Sequence, residues 1–100
     1  MPHQVIVNAD DFGLSACENA VILGAFQAGI ISSATAMANM PAFEAACALA
    51  QHPLLAGRIG LHFNLTYGSP LSRRILARPT FCDSAGVFDL NLLTGEILWS

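Results

Sequence analysis

The chain has 100 residues, a net charge of -3, four arginines and no lysine, a size that allows one domain and a charge balance that excludes a nucleic-acid-binding surface. Hydrophobic residues make up 54% of it and charged residues only 11%, whereas a soluble domain carries about 25% charged residues. It is short of polar surface, which excludes a fully self-covered globule and points either to a longer protein whose remainder covers these apolar faces or to association with a second copy.

The first predicted element is a strand. Val5-Ile6-Val7 is a β-branched run that reads as buried, and Asp10 and Asp11 follow it where the chain turns through Gly13. Ser15-Ala16-Cys17-Glu18 fits a capping box, so a helix is expected to begin at Ser15, to carry Val21, Ile22, Ala25 and Phe26 at helical spacing, and to stop near Ala28 before Gly29. Ile30 through Met37 mixes β-branched and small residues as a buried second strand would. Pro41 suits a helix first turn, and Ala42 through Gln51 are helix formers ended by Pro53. Arg58 through Leu65 alternates as a third strand, with Ile59, Leu61, Phe63 and Leu65 on one face and Gly60, His62 and Asn64 on the other. From residue 67 to 95, Pro70, Pro79 and Gly86 punctuate short segments, a pattern that predicts a loop or hairpin excursion.

The order β-α-β-α-β with short connections predicts an α/β fold of parallel strands whose carboxyl ends share one edge, so that Asp10, Asp11 and His62 can meet. Open α/β sheets and α/β barrels place their chemistry at that edge. Two adjacent carboxylates repel unless a cation or an ordered proton lies between them, and neutral imidazole is a common ligand of divalent metals. Asp and His from neighbouring strand ends therefore supply two ligands, and the second Asp can act as general base toward water. Each part also has a structural reading: an Asp-rich turn before a helix caps free N-H groups, and a lone strand histidine is commonly a hydrogen-bonded structural group. The combination is more specific than either part. His3, at the other end of the first strand, and His52, at the carboxyl end of the second helix, are expected to be surface groups.

Cys17, Cys47 and Cys82 have no Cys-x-x-Cys spacing and are expected to be buried free thiols. With no secretory leader pattern and no apolar run of membrane-spanning length, the expected compartment is the cytoplasm, and Asn64-Leu65-Thr66 is not expected to be glycosylated. Arg73, Arg74 and Arg78 read as a solvated basic loop.

Three ordered blocks carry a resemblance. Val7 through Ser15, Gly29 through Thr35, and Ile59 through Thr66 with Gly68 through Ser72 resemble the YdjC/ChbG family of carbohydrate deacetylases, with a weaker echo at Asp83 through Phe88. The resemblance implies a partial (β/α) barrel-like fold, in which residues 1–100 form a single incomplete domain: the first three β/α units plus the excursion. It also implies a hydrolase that uses a divalent metal ion, Mg or Zn, to remove acetyl groups from N-acetylated amino sugars such as chito-oligosaccharides. Matched residue by residue, Asp10 corresponds to the catalytic base, and Asp11 and His62 to metal ligands. The family's further ligand lies in a His-rich motif downstream, so the chain is expected to be an amino-terminal part. The expected partners are an acetylated amino-sugar substrate and a second copy of the chain, with no nucleic acid and no membrane. Two alternatives remain open: a non-catalytic carbohydrate-binding or self-associating domain, and a metal-dependent phosphoesterase. The lack of a phosphate-cradling glycine loop or a nearby lysine counts against the phosphoesterase.

Overall fold

The computed structural model describes residues 3–89, which divide into two units between His62 and Phe63. In the first, strand β1 (Asn8–Phe12), helix α1 (Ala16–Gln27), strand β2 (Ser33–Ala36), helix α2 (Phe43–Leu49) and strand β3 (Ile59–Leu61) follow in order. The strands form one sheet in the order β1-β2-β3, with both pairs parallel. The α/β class and the parallel arrangement are as the sequence predicts.

Helix α1 begins and ends on its predicted signals. Ser15 is its N-cap and accepts the Glu18 N-H, while the Ser15 hydroxyl and the Glu18 carboxylate bond to each other. At the other end Gly29, at φ 72°, completes a Schellman motif: its N-H donates to Phe26 O at 3.1 Å, and the Ile30 N-H donates to Ala25 O at 3.0 Å. One face of the sheet carries both helices. Phe12, Ala34 and Ala36 from the strands meet Ile22 and Phe26 of α1 and Ala46 of α2, with Leu55 closing the cluster. The alanines of β2 let the helices approach the sheet closely. Phe12 and Leu55 are wholly buried, and each contributes about 1.5–3 kcal/mol relative to an exposed position.

Four boundaries differ from the sequence reading, and the first is that of β2, which covers Ser33–Ala36 and not the whole of Ile30 through Met37. Val5 and Ile6 precede β1 and are 78% and 80% exposed, although the Val7 carbonyl still accepts the Ser32 N-H at 2.9 Å. A β-branched run reads as buried when both faces of a parallel sheet are covered, and here the helices cover one face only. Strand β3 is shorter than Arg58–Leu65 because its partner runs out: β2 ends at Ala36, whose carbonyl accepts the last rung from the His62 N-H at 2.9 Å. Helix α2 spans seven residues rather than ten, and a series of turns follows it, bonded through the His52 carbonyl, that carries Leu55 into the core.

In the second unit, a four-residue helix α3 (Arg73–Leu76), capped by Ser72, precedes an antiparallel bridge between Cys82 and Phe88. Asp83 organises the turn between them, accepting from Ala85 N at 2.9 Å and Val87 N at 3.1 Å. Residues 67–89 thus make a loop with a small hairpin, and residues 90–95 of the predicted excursion lie outside the described residues. All three cysteines are free, but only Cys82 is buried; Cys17 and Cys47 lie on exposed positions of α1 and α2, contrary to the expectation of buried thiols. Among the described residues, no helix is long and apolar enough to cross a membrane.

Candidate active site

Side chains of an unbroken strand alternate between faces, so adjacent Asp10 and Asp11 would point to opposite sides of the sheet. The register of β1 on β2 prevents this. Asn8 pairs with Ser33 and Ala9 with Ala34, but the next pair is Phe12 with Ala36, so both acids lie opposite Thr35 alone. This is a β-bulge, in which one extra residue is inserted into β1. The packing requires it, because Ala9 and Phe12, three residues apart, both pack into the core on the helix side. The extra residue is accommodated by Asp11, whose φ of 68° lies in the left-handed region. Short polar Asp tolerates that region better than a β-branched residue would. Both carboxylates are thereby freed from the helix-covered face.

His62 comes from the opposite side of the sheet. Gly60 pairs with Thr35, and His62, two residues on, shares the polar face with Gly60. His62 Nδ1 accepts the Asp11 N-H at 3.3 Å and lies 3.4 Å from Asp11 Oδ1. The pair therefore reaches across the end of the middle strand. Its side chains are 31% and 47% exposed, open to a ligand without being fully solvated.

The donor set fits a divalent metal in type: carboxylate oxygen and neutral imidazole nitrogen are standard ligands. Among the described residues, no group of three or more His, Cys, Asp and Glu side chains is placed to hold an ion; Asp11 and His62 are a pair of candidate donors. Asp10 makes no hydrogen bond or ion pair with His62. Its Oδ1 accepts from Asn8 Nδ2 at 3.0 Å and from Thr35 Oγ1 at 3.5 Å. His3 is exposed, and His52 Nδ1 accepts the Leu54 N-H at 3.1 Å, so both are surface or local structural groups outside the site.

The sequence reading missed Asn8, Ser33 and Thr35. Ser33 and Thr35 alternate with core residues Ala34 and Ala36, a period-two signal for a polar sheet face, and Asn8 lies two residues before Asp10 on the same face. Also missed was Asn19, 2% exposed on α1. Its Oδ1 accepts the Gly13 N-H at 2.7 Å, and its Nδ2 donates to the Ala42 carbonyl at 3.1 Å. It ties the turn after β1 to the start of α2.

A parallel α/β sheet with carboxylates and an imidazole gathered at its carboxyl edge belongs to the class of α/β proteins that place functional groups at strand ends. Within that class the chain belongs to the YdjC-like protein family, whose pattern matches residues 4–98. It is 58% identical over 73 residues to a carbohydrate deacetylase of Geobacillus stearothermophilus, an alignment that covers 72% of this chain and 29% of that protein. It is 40% identical over 111 residues to a chitooligosaccharide deacetylase of Yersinia pestis, covering 97% of this chain and 42% of that protein. Among solved structures, a protein of Enterococcus faecalis V583 described as a cellobiose-phosphate cleavage protein superposes with a TM-score of 0.77 at 35% identity, covering 91% of this chain and 35% of that one. The chain thus spans between 29% and 42% of the length of these relatives.

Proposed function

We propose that the protein carrying this segment is a metal-dependent hydrolase that removes acetyl groups from N-acetylated amino sugars of the chito-oligosaccharide type. The observation that carries the proposal is the bulge at Asp10 and Asp11, which frees two carboxylates onto one sheet face and sets one of them against His62. Relatives named carbohydrate deacetylase and chitooligosaccharide deacetylase supply the substrate class.

In this reading Asp11 and His62 hold a divalent ion, Zn²⁺ or Mg²⁺. When bound, such an ion supplies Lewis-acid polarisation of the acetamide carbonyl and lowers the pKa of water. Asp10, held apart from that pair, accepts the proton of the attacking water through its outward oxygen. The nucleophile adds to the acetamide carbon, the C-N bond breaks as the leaving nitrogen takes up a proton that balances the one passed to Asp10, and acetate and a free amino sugar leave. The open polar face of the sheet gives the sugar room to approach.

The test is acetate release from N-acetylated chito-oligosaccharides by the whole protein, together with zinc titration. Asp10→Asn is expected to cut turnover by about 10²–10⁴-fold, the range for loss of a general base, and to leave zinc affinity unchanged. His62→Ala is expected to weaken zinc binding. Full activity in Asp10→Asn, or zinc binding indifferent to His62→Ala, would overturn the assignment. A second reading is favoured by the description of the Enterococcus relative: hydrolysis of a phosphorylated sugar. Cleavage of a phosphorylated disaccharide, with no acetate from acetylated substrates, would select it.

A further inference from the structure

We infer that Asn8, itself set by Ser33, is a positioning residue that turns the Asp10 carboxylate so that one oxygen is tied to the sheet and the other is presented outward. This rests on the proposed role of Asp10 and goes beyond it by assigning a job to three residues that touch no proposed metal ligand through their side chains. Asn8 and Asp10 are two apart on β1, while Ser33, the partner of Asn8 in register, and Thr35 are two apart on β2. All four therefore share one sheet face.

Their hydrogen bonds run in one direction. Ser33 Oγ donates to Asn8 Oδ1 at 2.7 Å and braces the amide, whose NH₂ group faces the acceptor-only carboxylate of Asp10. Asn8 Nδ2 then donates to Asp10 Oδ1 at 3.0 Å and to Thr35 Oγ1 at 3.3 Å. Thr35 Oγ1 in turn donates to Asp10 Oδ1 at 3.5 Å, the long limit of such a bond. A flipped amide would set its oxygen against the Asp10 carboxylate oxygen. Both bonds to Asp10 fall on Oδ1, so Oδ2 is the edge left to meet water. Asn8 is a neutral donor, so it orients the carboxylate without forming the ion pair that a lysine or arginine would impose. Every member sits on a paired strand, where a catalytic group is held more closely than on a loop.

The proposal is tested by steady-state acetate release from N-acetylated chito-oligosaccharides, using the whole protein. Asn8→Ala is expected to lower kcat by about 10–100-fold, the cost of misplacing a reacting group by up to about 1 Å. KM is expected to stay within about twofold, since no ground-state binding contact is removed. Zinc affinity is expected to hold, because Asp11 and His62 are intact. The decisive arm is the double variant. If Asn8 acts through Asp10, Asn8→Ala causes no further loss in an Asp10→Asn background. Thr35→Ser, which keeps the hydroxyl, is expected to retain activity, and Thr35→Val to lose part of it. The same fractional loss from Asn8→Ala in both backgrounds, or a raised KM at unchanged kcat, would overturn the positioning role. Acetate release that depends on Asp10 but not on Asn8 refutes this inference alone, whereas absence of Asp10-dependent release refutes the proposed function and this inference with it.

Discussion

Truncating Asn19 to Ala removes a side chain that joins the turn after β1 to the start of α2. Two bonds are lost, and they do not cost the same. The Ala42 carbonyl keeps a partner, because it also accepts the Ala46 N-H at 3.0 Å. The buried Gly13 N-H, which donates to Asn19 Oδ1 at 2.7 Å, has no replacement. An orphaned buried donor costs about 1–3 kcal/mol. Alanine is the better helix former and returns about 0.5 kcal/mol within α1. The expected net loss is therefore about 0.5–2.5 kcal/mol, read as a lower urea midpoint at unchanged m for the whole protein. Asn19→Asp gives a sharper version of the same test. It keeps the acceptor for Gly13 but sets a second oxygen against the Ala42 carbonyl in a buried site, so burial and that carbonyl disfavour the charged form and raise its folded pKa. A raised folded pKa means that the native state binds the proton more tightly. Destabilisation is then greatest at neutral pH and is relieved as pH falls through the folded pKa, until the carboxyl donates as the amide does. The exposed Gln27→Ala, at the end of the same helix, is the control and is expected to stay within about 0.5 kcal/mol. If Asn19→Ala matched that control, or if Asn19→Asp lost stability as pH fell from neutrality toward its pKa, the bridging role would be refuted.

Gly13 itself tolerates no side chain. At φ 93° it lies where L-residues are strained, and a Cβ there would stand 3.2 Å from the Phe43 Cα and 3.4 Å from the Met37 carbonyl oxygen. Gly13→Ala is expected to cost at least about 1–3 kcal/mol, measured by the same denaturation, and a neutral result would refute the close approach. The thiols give a pH-dependent readout. Burial, with a smaller contribution from the neighbouring Asp83 carboxylate, pushes the Cys82 thiol above its ordinary value of 9.0, while Cys17 and Cys47 are exposed. Near pH 8 a chromogenic disulfide reagent is expected to modify Cys17 and Cys47 first and Cys82 only on unfolding. Because the unfolded thiol ionises at lower pH than the native one, the contribution of Cys82 to stability declines as pH rises through about 9. Equal rates at all three positions would refute its burial.

What could be read from the sequence follows how local each interaction is. The ends of α1 were legible because Ser15 with Glu18, and Gly29, satisfy helix ends through bonds between near neighbours in the chain. The parallel order was legible because two short crossovers leave few other arrangements. Exposure was not. Val5-Ile6-Val7 has the same composition whether or not anything covers it, and the length of β3 depends on where β2 ends, a fact carried by residues more than twenty positions away. The site lies between these extremes. That Asp10, Asp11 and His62 share an edge follows from topology, yet alternation along β1 assigns the two acids to opposite faces. Only the demand that Ala9 and Phe12 both reach the core forces the extra residue, and only the left-handed Asp11 absorbs it. The acidic pair is thus a consequence of packing on the other side of the sheet. The same bulge also divides the pair, leaving Asp10 to Asn8 and Thr35 while Asp11 turns to His62. A change on the helix side that restored regular alternation, by allowing Phe12 to leave the core, would return one carboxylate to the buried face and separate base from ligand without touching either.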